Sequence, residues 1–309
     1  MNKNVFVFDT PYCLLVYAIL FYDDLEKTTF ICSENVIFNE SKYGNCIRIK
    51  NHSGLIGKFF SFFSFYYSVF FNKKIRSLFC DSYDFYGQDH LFFSRPFLKD
   101  FTLIEDGVAN YLVTKRKWYT RAILGKNIFG TSPKVKSIYL SGMLDSVPKN
   151  IQRKIIYFDL KAAWDILAKE GKENINDLFL YNNKKIHAPH VDIMLLTQPL
   201  SEDGVITEDR KIHIYAEIIA SLKGKNIVLR KHPRERTDYK RIFPSIIINE
   251  SKCPIELAVL NFSSIDTVIT LYSGGIFSIP CNKKIFKGTE GYVDLESKVG
   301  KIKSITIYK

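Results

Sequence analysis

Short apolar runs of strand length, each closed by a polar turn, recur along the whole chain. Runs of this kind, with little polar alternation, are typical of strands buried on both faces of a parallel sheet. In the first half they fall at residues 4–8, 29–32, 35–38, 77–80, 90–93, 101–104, 136–140 and 155–158. In the second half they fall at 191–196, 226–229, 246–248, 267–271, 276–280 and 284–286. Helical spacing lies between them. Asp9-Thr10-Pro11 is an N-cap followed by a first-turn proline, opening a helix over residues 12–21. Further helices are expected over 160–169, over 208–222 with Gly224 as its stop, and over 254–260. Strand–helix alternation of this type builds α/β domains with right-handed crossovers. The polar stretch after Tyr181 separates two such series. The pattern predicts a Rossmann-like N-terminal domain over 1–155, a connecting segment over 156–188 and a C-terminal domain over 189–309.

Composition adds a partner's sign. The 309 residues are 46% hydrophobic and carry a net charge of +12, so a globular core is available and an anionic partner is implied. Neither zinc-finger spacing nor an RNA-binding aromatic signature directs that charge to nucleic acid. The six cysteines are scattered without a C-x-x-C pair, which argues for buried thiols in a reducing compartment. The start lacks a cleavable leader pattern, and the expected location is the cytoplasm. One run stands apart: residues 59–71 are almost continuously aromatic, with Lys58, Lys73, Lys74 and Arg76 at the flanks. It is shorter than a membrane span. It reads either as a buried helix or as a helix lying in a membrane interface.

Candidate chemistry collects at the carboxyl ends of the apolar runs, where ligands bind in open α/β sheets. The run 226–229 leads into Arg230-Lys231-His232-Pro233-Arg234, a cationic turn around one histidine that suits a phosphate. The run 101–104 ends in Glu105-Asp106-Gly107, two carboxylates and a turn glycine, and one carboxylate at such a place can serve as a general base. The run 191–196 ends in Thr197-Gln198-Pro199-Leu200, with Glu202 and Asp203 a few residues on. The run 267–271 ends in Tyr272-Ser273-Gly274, whose free backbone N–H groups suit a phosphate. Residues 114–126 are basic around Trp118 and read as a solvated face or a contact for an acidic acceptor or membrane. Each motif taken singly is also an ordinary surface turn.

In this order, Glu105-Asp106-Gly107, Gln198-Pro199, Lys231-His232-Pro233-Arg234, and Glu256 with Tyr272-Ser273-Gly274 resemble the bacterial sialyltransferases of glycosyltransferase family 52. Those enzymes build lipooligosaccharide and capsular sugars. The acid-acid-Gly and His-Pro pair is shared more loosely with related sialyl- and polysialyltransferase families. The resemblance runs from about residue 101 onward. It implies a GT-B architecture, two Rossmann-like domains facing across a cleft. It also implies inverting, metal-independent transfer of sialic acid from CMP-sialic acid to a galactose hydroxyl, with no cofactor beyond the donor. Carried over by position, His232 meets the leaving phosphate, Glu256 the cytidine ribose, Ser273 and Gly274 the phosphate, and Asp106 belongs to the acid-acid-Gly motif. Glu105, Gly107, Gln198, Pro199, Lys231, Pro233, Arg234 and Tyr272 fall on the donor side of the same motifs. Some members place an aspartate after the Pro equivalent to Pro199; here it is Leu200, which leaves Asp106, Glu202 and Asp203 as candidates for the base.

The partners implied are a CMP-sugar and a galactose-containing, lipid-linked acceptor, with an anionic membrane surface and a homodimer as further expectations. The location implied is peripheral, on the inner face of the cytoplasmic membrane. Two other readings fit the same residues: a hexosyltransferase using a UDP-sugar, and a non-catalytic protein binding membrane or polysaccharide.

Overall fold

The computed structural model describes residues 3–43, 45–50, 54–79, 82–113, 116, 121, 125–181, 190–262 and 264–308. The chain divides into two compact units, Met1–Leu180 and Tyr181–Lys309. Each is built on one mainly parallel sheet.

The first sheet has the order β3-β2-β1-β4-β5-β6-β7, all neighbours parallel. Its strands are β1 (Lys3–Phe8), β2 (Thr28–Ser33), β3 (Cys46–Ile49), β4 (Tyr83–Gly87), β5 (Phe101–Ile104), β6 (Val135–Leu140) and β7 (Ile155–Tyr157). The chain winds outward from β1 to β3, then restarts on the other side of β1 with β4. The carboxyl ends of β1 and β4 therefore flank the topological switch point, where a crevice forms for a ligand. Residues 5–8 of β1 are fully buried, as a central strand covered on both faces requires. Helix Pro11–Leu20 covers one face; its N-cap Thr10 accepts a hydrogen bond from the amide of Cys13, a cap worth about 1 kcal/mol.

Several expected elements differ. Residues 35–38 form a loop: Val36 N bonds back to the Ser33 carbonyl and ends β2, and the edge position goes to β3. Residues 77–80 are not a strand either. Asn72 caps a short helix, Lys73–Ser77, that runs into a turn at Leu78; Cys80 lies outside the described residues. The strand is instead β4, and residues 90–93 are turns after it. Connecting segment 156–188 is also corrected, up to Leu180. β7 is the last strand of the first sheet, and helices Leu160–Ile166 and Lys169–Leu178 bury Trp164, Ile175 and Leu178 within the first unit. Residues 182–189 lie outside the described residues.

The second sheet has the order β10-β9-β8-β11-β12-β13. Its strands are β8 (Val191–Leu196), β9 (Ile227–Arg230), β10 (Ile247–Asn249), β11 (Ile265–Thr270), β12 (Lys283–Phe286) and β13 (Ile305–Tyr308). All pairs are parallel except β12–β13. The order repeats the logic of the first sheet, with the switch point between β8 and β11. Residues 276–280 fall mainly in a 3-10 turn, Gly274–Ser278, three residues beyond the end of β11. Both units thus have the Rossmann-like winding of the GT-B class.

Helix Gly54–Phe71 settles the aromatic run as a helix with two faces. Phe65 is buried beneath it in the core of the first unit, with Tyr66 and Val69 packed beside it. Phe59, Phe60, Phe63, Tyr67, Phe70 and Phe71 are exposed, each by more than half. Among the described residues no helix is long and apolar enough to cross a membrane.

Candidate active site

In the first unit the polar residues that follow β1, β4, β5 and β6 converge at the carboxyl edge of the sheet. Asp106 is the centre. Its Oδ1 accepts from Thr10 Oγ1 at 2.8 Å and from Gln88 Nε2. Its Oδ2 lies 3.7 Å from His90 Nε2. Gln88 spans the switch point, because its Oε1 also accepts from the Asp9 amide at 2.5 Å. Thr10 serves two roles, capping the helix after β1 and donating to Asp106. Burial is the main cause that lifts the Asp106 pKa from 3.8 to about 6, with Asp9 and Glu105 adding like charge and the Thr10 and Gln88 hydrogen bonds opposing. Burial, then the nearby Arg116, pulls His90 down to about 4, so His90 is neutral near pH 7. A carboxylate that titrates near 6 beside a neutral imidazole is a competent general base.

Glu105 does a different job. It is fully buried, and its Oε2 accepts from Tyr12 Oη at 3.1 Å and from the Ser141 amide at 2.9 Å. Glu105 thus ties β5 to β6 and to the first helix, next to Asp106 in the chain. Gly107 follows with φ of 125°, where an added side chain would be strained. That conformation turns the chain so that the Asp106 amide donates to Asn110 Oδ1 at 2.7 Å.

In the second unit, β9 ends at the buried Arg230, whose guanidinium donates to Asn249 Oδ1 at 2.6 Å and to the Cys253 carbonyl at 2.5 Å. The turn that follows is held from inside by Glu235. Its Oε2 accepts from the His232 amide at 2.8 Å and from Thr197 Oγ1, and its Oε1 from Tyr239 Oη at 2.7 Å. Burial raises the Glu235 pKa against those hydrogen bonds. His232 is half-buried, and its Nδ1 accepts from the Arg234 amide at 3.2 Å. Burial, then Arg234, lowers its pKa. The imidazole is neutral with Nδ1 as acceptor, which puts the proton on Nε2 and makes that atom a donor.

Two of the three candidate bases are otherwise engaged. Glu202 accepts from Lys211 Nζ at 2.9 and 3.1 Å, from the Arg236 amide at 2.6 Å and from Ser201 Oγ at 3.0 Å. Burial raises its pKa, but the Arg236 amide and Lys211 outweigh it and hold Glu202 at about 2. The Glu202 carboxylate is thereby engaged within the fold. Asp203 forms a two-pronged pair with Arg234, at 2.5 and 3.0 Å. Leu200, where the family's aspartate was sought, is buried in the core. Of the three, Asp106 makes no contact with a lysine or arginine among the described residues.

The remaining expected residues line the switch point of the second sheet. Gln198 Oε1 accepts from the Tyr272 amide at 3.0 Å, joining the ends of β8 and β11. Pro199, buried, turns the chain, and its carbonyl accepts from Asp203 N. The Ser273 hydroxyl caps no amide of the short turn it precedes, and an added Cβ at exposed Gly274 would meet open space. Glu256 sits in the first turn of helix Ile255–Leu260 and accepts from Ser278 Oγ. Lys231 turns away, its Nζ 3.7 Å from Glu250 on the far side of β9, and Pro233 is exposed at the tip.

Sequence reasoning gave no role to Gln88, His90 and Glu235, and took Arg230 only as part of the cationic turn. The Gln88-Asp89-His90 run directly after an alternating strand was the available signal for the first two. Nothing local marks Glu235, which faces inward only because the turn folds over it. Among the described residues, the one grouping with metal-ligand spacing is His190, Asp192 and Asp266. It lies at the amino ends of β8 and β11, the opposite edge from His232.

Two Rossmann-like units with polar residues gathered at the carboxyl ends of their strands are the architecture of the GT-B class. The family model for glycosyltransferase family 52 matches residues 26–293, and the chain belongs to that family. A relative described as an uncharacterised protein of Haemophilus influenzae is 39% identical over 222 residues, covering 70% of this chain and 72% of its own. Among solved structures, the UDP-GlcNAc 2-epimerase of Methanocaldococcus jannaschii with UDP-GlcNAc and UDP is 13% identical with a TM-score of 0.49. That match covers 96% of this chain and 91% of the other. The wall teichoic acid polymerase TagF is 14% identical with a TM-score of 0.45, covering 96% and 78%.

Proposed function

We propose that this glycosyltransferase moves sialic acid, with inversion and without a metal, from CMP-sialic acid to a galactose-type hydroxyl of a bacterial surface glycan. The observation that carries the reading is Asp106, a carboxylate at the carboxyl edge of the first sheet that meets no lysine or arginine among the described residues. Asp106 has a base's proton affinity, and His232 offers a preset Nε2–H donor. In the reaction Asp106 takes the proton of the acceptor hydroxyl, whose oxygen attacks the anomeric carbon. The bond from that carbon to the phosphate oxygen breaks, and CMP departs with its charge met by His232 Nε2–H, the Ser273 hydroxyl and the Gly274 amide. A single phosphate carries less charge than a diphosphate, so neutral donors of this kind suffice. Glu256 is assigned to the ribose hydroxyls of the cytidine. A thermal-shift titration with CMP and UDP, followed by turnover of CMP-sialic acid, tests the reading. Stabilisation by UDP and not by CMP would transfer the donor assignment to a UDP-hexose.

The exposed aromatic face of Gly54–Phe71 supports attachment to the inner face of the cytoplasmic membrane, where a lipid-linked acceptor is presented. Six exposed rings beside the exposed Lys73, Lys74 and Arg76 match an interface carrying anionic lipid. Sedimentation with phosphatidylglycerol vesicles checks this. Replacing Phe60, Tyr67 and Phe70 by serine should release the protein; undiminished binding would remove this face from the proposal.

A further inference from the structure

From Gly107 to Leu144 the chain contains no carboxylate, while Lys115, Arg116, Lys117, Arg121 and Lys126 are clustered within it. In the first unit a cavity of about 320 Å³ is lined by Arg116, Arg121, Lys126, Asn127 and Thr131 on its polar side. Leu112, Ile128, Phe129 and Pro148 form its apolar side. A second hollow of about 200 Å³ shares Lys126 and Asn127 and adds Arg95 and Lys134. Among the described residues, none of Arg95, Arg116, Arg121 and Lys126 takes part in an ion pair.

Asp89, whose charge acts on Arg116 through space, makes no ion pair with the cluster among the described residues. Asp89 accepts from the Phe129 and Gly130 amides, both at 2.8 Å. Those bonds hold Phe129 at a φ of 51° and Gly130 at 84°, a bend that shapes the cavity wall. Arg116 Nη2 donates to the His90 carbonyl at 2.6 Å, and its buried Nε has no partner among the described residues. A like-charged cluster with an unused, buried N–H is arranged for an anion that is not part of the chain.

The cavity also adjoins the base. The Phe129 ring packs on His90 at 4.7 Å between centroids, and His90 Nε2 is 3.7 Å from Asp106 Oδ2. One side chain separates the cavity wall from the atom that takes the acceptor's proton.

We infer that this cavity is an acceptor subsite for a sugar phosphate: Arg116, Arg121 and Lys126 hold the phosphate, and the apolar side faces the sugar ring. This deepens the glycosyltransferase reading above and rests on it for the word acceptor. A phosphate offers three oxygens to several converging donors, and the volume is at the small end of ligand pockets, enough for one phosphorylated sugar. The same chemistry exists in a lipid headgroup, so the test separates the two sources.

Galactose 6-phosphate, galactose and inorganic phosphate are titrated by calorimetry without any donor present, at low ionic strength. Galactose 6-phosphate should bind and galactose should not. The R121E/K126E double variant should bind at least about tenfold more weakly, whereas K223E/K298E, an equal charge change on the second unit, should match wild type. No binding by wild type, or equal loss in both double variants, overturns the site. Binding to phosphatidate vesicles without binding of galactose 6-phosphate overturns the acceptor assignment in favour of a headgroup. Since no nucleotide is present, failure of the CMP assignment would show separately, in the thermal-shift titration.

Discussion

The amide of Arg234 donates to Nδ1 of His232 at 3.2 Å, and this one contact sets which nitrogen of the imidazole faces outward as a donor. Burial and Arg234 both lower its pKa, and on the proposed mechanism His232 acts as a neutral hydrogen-bond donor and not as a cation. His232→Ala should therefore lower kcat by about 10²–10³-fold, with far less effect on the pH dependence. A pH–rate comparison of wild type and variant checks this: a wild-type limb that vanishes in the variant would show a titrating histidine instead.

Asp106 supplies the limb. Activity requires the carboxylate, so kcat/KM should rise with pH through about 6 and level off above it. The Gln88 hydrogen bond lowers that pKa, so Gln88→Met should move the limb to higher pH, while Asp106→Asn should abolish transfer. Stability runs the opposite way. The folded pKa lies above the ordinary 3.8, so the folded state binds the proton more readily, and Asp106's contribution is full below 3.8 and lost as pH rises through about 6. Urea unfolding of wild type and Asp106→Asn at pH 5 and pH 8 should show the variant gaining relative stability at the higher pH.

Lys211 is fully buried, with Glu202 and Glu208 at 2.9 Å and Glu235 at 3.8 Å. Removing the cation leaves three carboxylates facing one another beneath the His232 turn. Lys211→Ala should cost about 3–5 kcal/mol, read by chemical denaturation. The loss should be smaller at low pH. Glu202 titrates at about 2, below the ordinary 4.5, so the stability it draws from Lys211 is present above 4.5 and lost as pH falls toward 2.

Gly87 ends β4 with φ of 130°, and a Cβ there would come 1.9 Å from the Val7 carbonyl oxygen. Gly87→Ala must push β4 away from β1 at the switch point, displacing Gln88 from Asp9 and Asp106. A loss of more than about 4 kcal/mol is expected. Gly204→Ala, at φ of 70° with open space around it, should cost about 1 kcal/mol. Thermal melts of the two variants distinguish a steric clash from backbone strain alone.

The apolar runs at 4–8, 101–104, 191–196 and 226–229 were enough to read an α/β chain with parallel strands, because a strand covered on both faces must be apolar almost throughout. The motif residues at the strand ends were legible for the same reason: the run stops where the sheet stops. β3, β4 and β13 were not, since edge or half-covered strands such as Cys46–Ile49 and Ile305–Tyr308 have no continuous run to show. The division of labour among the carboxylates was decided only by tertiary structure. Glu105, Asp106, Glu202, Asp203 and Glu235 are alike as residue types. Folding buries Glu105 and Glu235 against hydrogen-bond donors and pairs Glu202 and Asp203 with cations. Asp106 keeps a raised pKa chiefly because it is buried, with the like charges of Asp9 and Glu105 adding to the rise and the Thr10 and Gln88 hydrogen bonds opposing it. Proton affinity depends on what surrounds a group in space, and those neighbours come from strands separated by tens of residues in the chain.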